Sequence, residues 1–555
     1  MGPGTIDSST ALDEARPDDS PQALVRHSAI MSVGTGLSRI TGFLRLAAMA
    51  YALGVTESRL ADAFNVANVT PNIVYDLALG GIISAVFIPV FVERLTSKGR
   101  EAAWHTARSV LTVAIVVLTT VMVLGIVFSG AIIHLYTLGL HGPGGEAERE
   151  LASFFLKWFM PQIVLYALGA GVATGLLNAH RRFAPPMFAP ILNNLVGIAT
   201  FLIFAVMPGP ESPTPTTITT AQKYVLAVGT TLGVLAMTVA LWPYLRRLGF
   251  RYRWTLDTHD PGFRRIVRLS GWALVYVVVN QLGLIVVIVL ATSVQGGYTA
   301  YAAAFIFFQL PYAIFAVSIM TAMLPALATT WTERNVDAVR SQLVLGIRGT
   351  AFIVAPAALG YLVLAVPIVR LLLQHGVMGA ASTELVAHLL QLFSLGMFSF
   401  CLFQLLLRAF YAMQDTRTPA LINVAAVAVN TVADLILYRY ISVEGLALGH
   451  ATAYTFAAIV SAIIIRRRLG GLEGRTLVPA LLRIAVAGLA CGAAAFLVAN
   501  RVGAALGVTA FGAQLLQVTA AMVAGGAAFL AVAAAFRLQE LTLVRSLFRS
   551  RTGRG

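Results

Sequence analysis

The sequence predicts an all-α polytopic membrane protein. About fourteen transmembrane helices form two pseudo-symmetric six-helix lobes, with two further helices at the C-terminus. Three observations predict this fold: an apolar composition, an alternation of basic loops between apolar spans, and a weak internal repeat.

Of 555 residues, 58% are hydrophobic and 11% are charged, and the mean hydropathy is +0.81. Soluble globular chains carry about 25% charged residues. A soluble chain of this length would divide into several domains with polar surfaces. Here nearly every long window is apolar, so the solvent is lipid. The net charge of +15 sits in short clusters between spans. Such clusters set topology and touch anionic headgroups, which argues against nucleic acid as a partner. Cys401 and Cys491 lie inside spans with no C-x-x-C or zinc spacing, and read as small buried hydrophobes.

A spanning helix needs about 20 apolar residues. That rule marks spans near 28–53, 69–92, 107–137, 151–178, 184–207, 222–245, 266–294, 299–331, 341–373, 383–413, 418–438, 444–465, 479–500 and 510–536. Pro71, Asp76 and Gly80-Gly81 make the second the weakest. With both termini inside, 29 of the 39 Lys and Arg fall in cytoplasmic segments or beside them, including "ERLTSKGR", "TERNVDAVR" and "RRRLGGLEGR". Six fall outside, and Arg39, Arg45, Arg370 and Arg408 fall within spans. This is the positive-inside bias, and a wrong count would scramble it. The chain then divides into a disordered tail 1–27, an N-lobe 28–247, a cytoplasmic linker 248–265, a C-lobe 266–468, a helix pair 479–536 and a basic cytoplasmic tail 537–555. The first tail is polar and acidic and has no signal-peptide features.

The repeat joins "GLLNAHRRFAPPMFAPILNN" (175–194) to "RAFYAMQDTRTPALINVAAVAVN" (408–430), and "ADAFNVANVTP" from Ala61 to "YAAAFIFFQLP" from Tyr301. An offset of six spans keeps both halves in the same orientation, related by an axis along the membrane normal. Transporters bind substrate between such lobes.

The first span raises a question of its own. On a helix starting near Ser28, Arg39 lies roughly 16 Å deep. An arginine at mid-bilayer costs about 2.5–3.5 kcal/mol on insertion scales. Arg39 and Arg45 should therefore face protein or a wet cavity. Ser38, Thr41 and Arg45 share one helical face. Two guanidiniums with no acid in their own span suit a phosphate or pyrophosphate. The plainer reading pairs them with Asp62, Asp76 or Asp434. Arg370 and Arg408, near span ends, are explained by snorkelling.

The run "SRITGFLRLAAMAYALG…ADAFNVANVTPN…ISAVFIPVF", with "LNAHRRFAPPMFAPILNN", "LLLQHG" and "FYAMQDTRTP", closely resembles the MurJ (MviN) family, the lipid II flippases of peptidoglycan synthesis. The resemblance implies the multidrug/oligosaccharidyl-lipid/polysaccharide exporter superfamily, fourteen helices, and a central cavity that alternates between membrane faces. It implies a groove for the lipid tail built with spans 13–14. Its expected setting is the bacterial plasma (inner) membrane, with lipid II or a related polyprenyl-pyrophosphate glycolipid as substrate and cell-wall synthesis or division proteins as partners. Carried over residue by residue, it marks Arg39, Arg45, Asp62, Pro71 and Asn72. Basic residues that many relatives carry after "PN" and in span 8 are absent; Tyr75, Asp76 and Gly80 stand in the first region, and Gln309 is the polar side chain of the second. The expected substrate-binding set is thus Ser38, Arg39, Arg45, Asp62, Asn72 and Gln309. Some members bind sodium through an Asn and an Asp one turn apart in span 11, and Asn430 and Asp434 match that spacing. This implies a coupling cation, sodium or proton, beside the plainer reading of a pair that holds helices together.

No nucleotide-binding P-loop, H-E-x-x-H or G-x-S-x-G is present, so neither ATP hydrolysis nor these hydrolytic chemistries are expected, and no other cofactor is expected. The alternatives to a flippase are an exporter of another polyprenyl-linked oligosaccharide or of drugs, and an intramembrane enzyme. His141 and His375 are isolated and read as solvated loop residues.

Overall fold

The structure, a computed structural model, describes residues 21–76, 87–141, 144–180, 182–210, 212–269 and 271–541. Among these residues there are helices and no strands. The N-lobe contains α1 (Pro21–Leu53), α2 (Leu60–Asp76), α3 (Ile88–Ser97), α4 (Arg100–Val127), α5 (Ser129–Tyr136), α6 (Gly145–Ala179), α7 (Ala184–Val206) and α8 (Thr220–Arg247). A short linker helix α9 (Pro261–Leu269) leads to the C-lobe, with α10 (Gly271–Ala291), α11 (Gly297–Thr332), α12 (Val336–Leu373), α13 (Ala380–Leu395), α14 (Met397–Ala412), α15 (Arg417–Ile441) and α16 (Glu444–Arg468). The chain ends in the antiparallel pair α17 (Gly474–Leu506) and α18 (Phe511–Ala535).

Apart from residues 77–86 and 270, which lie outside the described residues, the expected spans fall mainly on helix. Among the described residues, eleven helices are individually long and apolar enough to cross a membrane, or twelve if α13 and α14, bent by 50° at Gly396, form one span. α1 has the length, but its central arginines lower its apolarity. The second expected span is divided between α2 and α3, and Gly80-Gly81 lie outside the described residues. Two boundaries need correction. Residues 21–27 are the first turns of α1 rather than tail. At the other end, Leu538 (4% exposed) and Glu540 (2%) fold back, and Glu540 Oε1 accepts from Arg348 Nε of α12 at 2.5 Å. That tail therefore begins beyond residue 541, outside the described residues.

Helix starts are chemically specified. Thr219 and Gln222 form a reciprocal capping box at α8 (3.2 and 3.0 Å), and Asn335 Oδ1 caps α12 from the Ala338 amide at 3.0 Å; both satisfy amides that a first turn leaves unpaired. Among the described residues the lobes join most extensively at one end, with further contacts along α1, α2, α10 and α11 such as Phe43 against Phe307 (5.1 Å between ring centres). A continuous apolar core runs from Leu53, Leu60 and Phe64 into Ile288, Ala300 and Phe307 at the end where α1 turns into α2, which we call the far end. At the opposite end, where the arginine-rich loops lie, the N-lobe packs a separate core around Phe91, Trp104, Leu176 and Leu245.

Hydrogen bonds reinforce the far end. Glu57, in the α1–α2 turn, accepts from the Gly379 amide (2.7 Å) and Ser382 Oγ (2.6 Å) of the C-lobe. The Thr56 amide donates to Ser382 Oγ (2.8 Å), the Val377 amide to the Tyr51 carbonyl (3.0 Å), and Gln295 Nε2 to the Thr56 carbonyl (2.8 Å). Two glycines permit this closeness. Gly296 (φ +73°) and Gly376 (φ +64°) adopt left-handed backbone, and a Cβ on either would lie within 2.4 Å of the opposing backbone.

Candidate functional site: a cationic cavity between the lobes

α1 lies against α7 because Asn194 Nδ2 donates both to the Ser38 carbonyl (3.1 Å) and to Thr41 Oγ1 (3.0 Å). That contact sets the rotation of α1 and directs its polar side chains inward. Ser38, Arg39 and Gln309 line one cavity of about 480 Å³, together with Thr35 and Tyr75. Arg45 and Asn72 line a second of about 360 Å³, together with Asn65, Asn68 and Asn193. Gly42, Tyr75, Pro190 and Ile306 border both, so the two are lobules of one space between N-lobe and α11. Arg39 is exposed and Arg45 half-buried. No described carboxylate lies within ion-pair reach of either. Arg45 instead lies across Gly197 of α7, where a Cβ would come within 2.8 Å of its Nε. Arg45 is thus packed against α7, and both arginines line the space between the lobes.

Asp62 lines neither lobule. It is fully buried, and its Oδ1 accepts from the Thr299 amide (2.9 Å) and Thr299 Oγ1 (2.6 Å); Asn65 Nδ2 also reaches Thr299 Oγ1 (3.0 Å). The residue expected at the substrate site therefore fastens α2 to α11. Asp76 accepts from Gln281 Nε2 of α10 at 3.3 Å. Three expected substrate residues, Ser38, Arg39 and Gln309, converge in one lobule, Arg45 and Asn72 in the other, and Asp62 belongs to the lobe contact.

The amides around Arg45 were missed in the sequence. Asn65, Asn68 and Asn72 follow i, i+3, i+7 on α2 and so share a face, a signal that "FNVANVTPN" contained. Asn68 Oδ1 has no partner. Arg408, assigned above to snorkelling, is within electrostatic reach of Tyr312, as is Arg39. Tyr312 opens a π-helical turn, Tyr312–Ala316, directly after Pro311.

A third cavity, of about 380 Å³, lies in the C-lobe on the other side of Ala302 and Ile306. Asn430, Asn423, Asn280 and His450 line it. Asp434 lies one turn beyond Asn430, 1% exposed, where Gly449 leaves room: a Cβ there would come within 1.9 Å of Asp434 Oδ1. Asp434 Oδ1, Asn430 Nδ2 and His450 Nε2 are all buried without partners. The donor set at this place is one carboxylate with amides and an imidazole, and among the described residues no group of three or more His, Cys, Asp or Glu comes together. Finally, an apolar groove of about 560 Å³ runs between α12, the α13–α14 bend and α17, with Ser394 its one polar lining residue. α17 supplies the wall expected of spans 13–14. α18 packs behind it against α12 and α17.

The comparisons agree with this architecture. The family model described as "Lipid II flippase MurJ" matches residues 49–516. A "Probable lipid II flippase MurJ" of Vibrio cholerae serotype O1 is 30% identical over 482 residues, covering 84% of this chain and 87% of that protein. One of Rhizobium meliloti is 29% identical, covering 83% and 84%. Among solved structures, "Lipid II flippase MurJ, inward closed conformation" superposes with a TM-score of 0.74 at 20% identity, covering 92% of this chain and 98% of that one. An "Inward-facing conformation of a multidrug resistance MATE family transporter of the MOP superfamily" gives 0.65 at 14% identity, covering 79% and 96%. By fold and by a family match over most of its length, this chain belongs to the MurJ family of lipid II flippases.

Proposed function

We propose that this chain is a flippase that moves lipid II, the undecaprenyl-pyrophosphate-linked peptidoglycan precursor, from the cytoplasmic to the outer leaflet by alternating access. It acts as a multi-pass protein of the bacterial inner membrane with both termini in the cytoplasm, and it transports its substrate without transforming it. The observation that carries the reading is the pair of arginines, without described carboxylate partners, on one amide-lined space between two lobes whose main shared core and hydrogen-bond network lie at the far end.

The chemistry follows from the cost of the passage. Hydrocarbon rejects a pyrophosphate and its sugars. Arg39 and Arg45 offer planar, permanently charged donors to phosphate oxygens, and Asn68, Asn72 and Asn193 offer donors and acceptors to the uncharged polar part of the headgroup. The apolar groove beside α17 suits the polyprenyl tail, which can stay in lipid while the headgroup crosses. The far-end latch closes the outer side, so the space is reached from the basic, cytoplasmic side; transport requires the latch to part and the basic ends to close. Asn430 and Asp434 bind a coupling cation, sodium or proton, in the C-lobe, supported by their unpartnered buried atoms.

Reconstitution tests this reading. Purified protein in liposomes should make lipid II accessible in the opposite leaflet, with the lipid chemically unchanged. Correctly inserted protein that leaves lipid II in place but moves another polyprenyl-linked glycan or a drug would overturn the assignment.

A further inference from the structure

The linker between the lobes carries chemistry that transport does not use. Residues 248–260 form no helix, yet they are pinned to α4. Arg108 Nε donates to the Arg251 carbonyl (3.0 Å), the Tyr252 hydroxyl meets Thr112 Oγ1 (3.1 Å), and the Thr255 amide donates to Thr112 Oγ1 (3.2 Å). Asp260, 5% exposed, then accepts from Arg94 Nη1 (2.9 Å), Thr106 Oγ1 (3.0 Å) and the Phe263 amide (2.9 Å), which fixes the start of α9. With Tyr252 and Thr255 committed to α4, the side chains beside them are exposed: Trp254 is 65% exposed and Leu256 60%. α9 behaves likewise. Ile266 is buried against the N-lobe, while Arg264, Val267 and Arg268 are exposed.

This surface lies where the lipid belt begins. α4 is largely buried from Ala103 to Thr112, under the linker and its neighbours, and becomes exposed at Val116 and Val117. The adjacent end of α8 exposes Trp242 and Tyr244, with Arg246 and Arg247 guanidiniums 5.9 Å from their ring centres. Indole rings favour the boundary between hydrocarbon and headgroups. The nearby acids are largely occupied: Glu93 pairs with Arg265 (2.7 Å) and Glu101 with Arg108 (3.0 Å). Asp257, half-exposed in the linker, lies 3.8 Å from His105, and Arg264 Nε donates to the Thr258 carbonyl (3.4 Å); the exposed Arg251, Arg253, Arg264 and Arg268 leave this face with a net positive charge.

We propose that Arg251, Arg253, Trp254 and Leu256, with Arg264 and Arg268 of α9, form a docking surface for the headgroups of anionic phospholipids in the adjoining leaflet. Charge complementarity selects an anion, and the exposed indole and leucine select a membrane over a soluble one. Each arginine beside an anionic surface enriches anionic lipid roughly fivefold.

Full-length protein in phosphatidylcholine vesicles containing phosphatidylglycerol tests the proposal, with bromine placed on the acyl chains of one lipid or the other. The fluorescence lost in Trp254→Phe isolates the Trp254 signal. Brominated phosphatidylglycerol should quench that signal more than brominated phosphatidylcholine at equal fraction. Arg251→Gln/Arg253→Gln/Arg268→Gln, which leaves Trp254 and the hydrogen bonds that pin the linker to α4 in place, should remove the preference, and added inorganic phosphate should not. Equal quenching by both lipids would reduce the surface to an ordinary aromatic belt. Absence of quenching by either would point to a soluble acidic partner, and loss of preference on adding phosphate would point to a free-anion site; each of these three results overturns the proposal.

Discussion

The two lobes contain the same helix put to two uses. Ala61–Pro71 of α2 and Tyr301–Pro311 of α11 correspond in the internal repeat. Where α2 carries Asn65, Asn68 and Asn72, α11 carries Phe305, Phe308 and Tyr312. In the N-lobe the amides open onto the space that Arg45 faces. In the C-lobe the rings close around His450: Phe305 at 5.4 Å, Phe308 at 5.5 Å and Phe393 at 5.3 Å between centres, with Tyr454 at 4.6 Å. The two helices share the proline, Pro71 and Pro311, and differ in the chemistry of the face beside it. One lobe presents guanidinium and amide groups to the space between the lobes. The other is an aromatic body beside a cavity of similar size, about 380 Å³, lined by Asn280, Asn423, Asn430 and His450 and by no guanidinium.

The comparison breaks most visibly at the arginines. Arg39→Ala and Arg45→Ala should each lower lipid II transport by a hundredfold or so, on the order of the 2–4 kcal/mol that a desolvated charged donor supplies. Lysine at either position should recover part of it, keeping the charge and losing the planar fork. Membrane abundance must be measured alongside, because a folding role predicts loss of the protein instead. Normal transport by a normally abundant double alanine variant would falsify the anion-binding role of the N-lobe.

Next in size is exchange of the lobes' own residues. Asn68→Phe places in α2 the ring that α11 carries at the corresponding position. It should cut transport roughly tenfold by filling the amide-lined space and removing hydrogen-bond partners. The reverse change, Phe308→Asn, buries an unpaired amide in the aromatic body and should lower thermal stability more than transport. Equal effects of both exchanges would erase the distinction between the lobes. In the C-lobe, Asp434→Asn should remove any sodium or proton dependence of transport and leave membrane abundance unchanged. Gly449→Ala, whose Cβ would meet Asp434 Oδ1 at 1.9 Å, should mimic it with an added loss of stability. Transport by the unaltered protein that ignores both sodium and pH would leave Asn430 and Asp434 structural.

Much of this was legible in the sequence, and the remainder failed for identifiable reasons. Span positions followed from hydropathy because lipid admits so few backbone solutions. The inward placement of Arg39 and Arg45 followed from the cost of charge in hydrocarbon. The role of Asp62 did not, because a carboxylate beside a cavity and one that fastens two helices look alike until Thr299 is placed against it. Asn193 and His450 lie on helices distant in sequence from α1, and only packing brings them to their cavities. The far-end latch was invisible for the same reason: Glu57 and Ser382 are joined across the lobes by a loop geometry that no periodicity encodes.

That latch gives the smallest expected effect, and it separates the two lobes as moving bodies. Burial alone would raise the Glu57 carboxyl, but hydrogen bonds from Ser382 Oγ and from the Gly379 and Val55 amides outweigh it and hold the group below the ordinary glutamate range. A group whose folded value is depressed contributes stability above its unfolded value and loses it as pH falls through the folded one. The latch should therefore be fully formed at neutral pH and weaken only in acid, below the usual glutamate titration near pH 4. Glu57→Gln keeps an acceptor and loses the charge, so it should cost roughly 1 kcal/mol at this half-exposed site and flatten the acid limb of thermal stability. Gly376→Ala, strained at φ +64° and set against Tyr51, should open the same contact at every pH. Cysteines at Thr56 and Gln295 would report both changes as slower disulfide cross-linking between the lobes. Cross-linking that is unchanged in both variants and across the acid range would mean that the shared apolar core alone holds the far end closed.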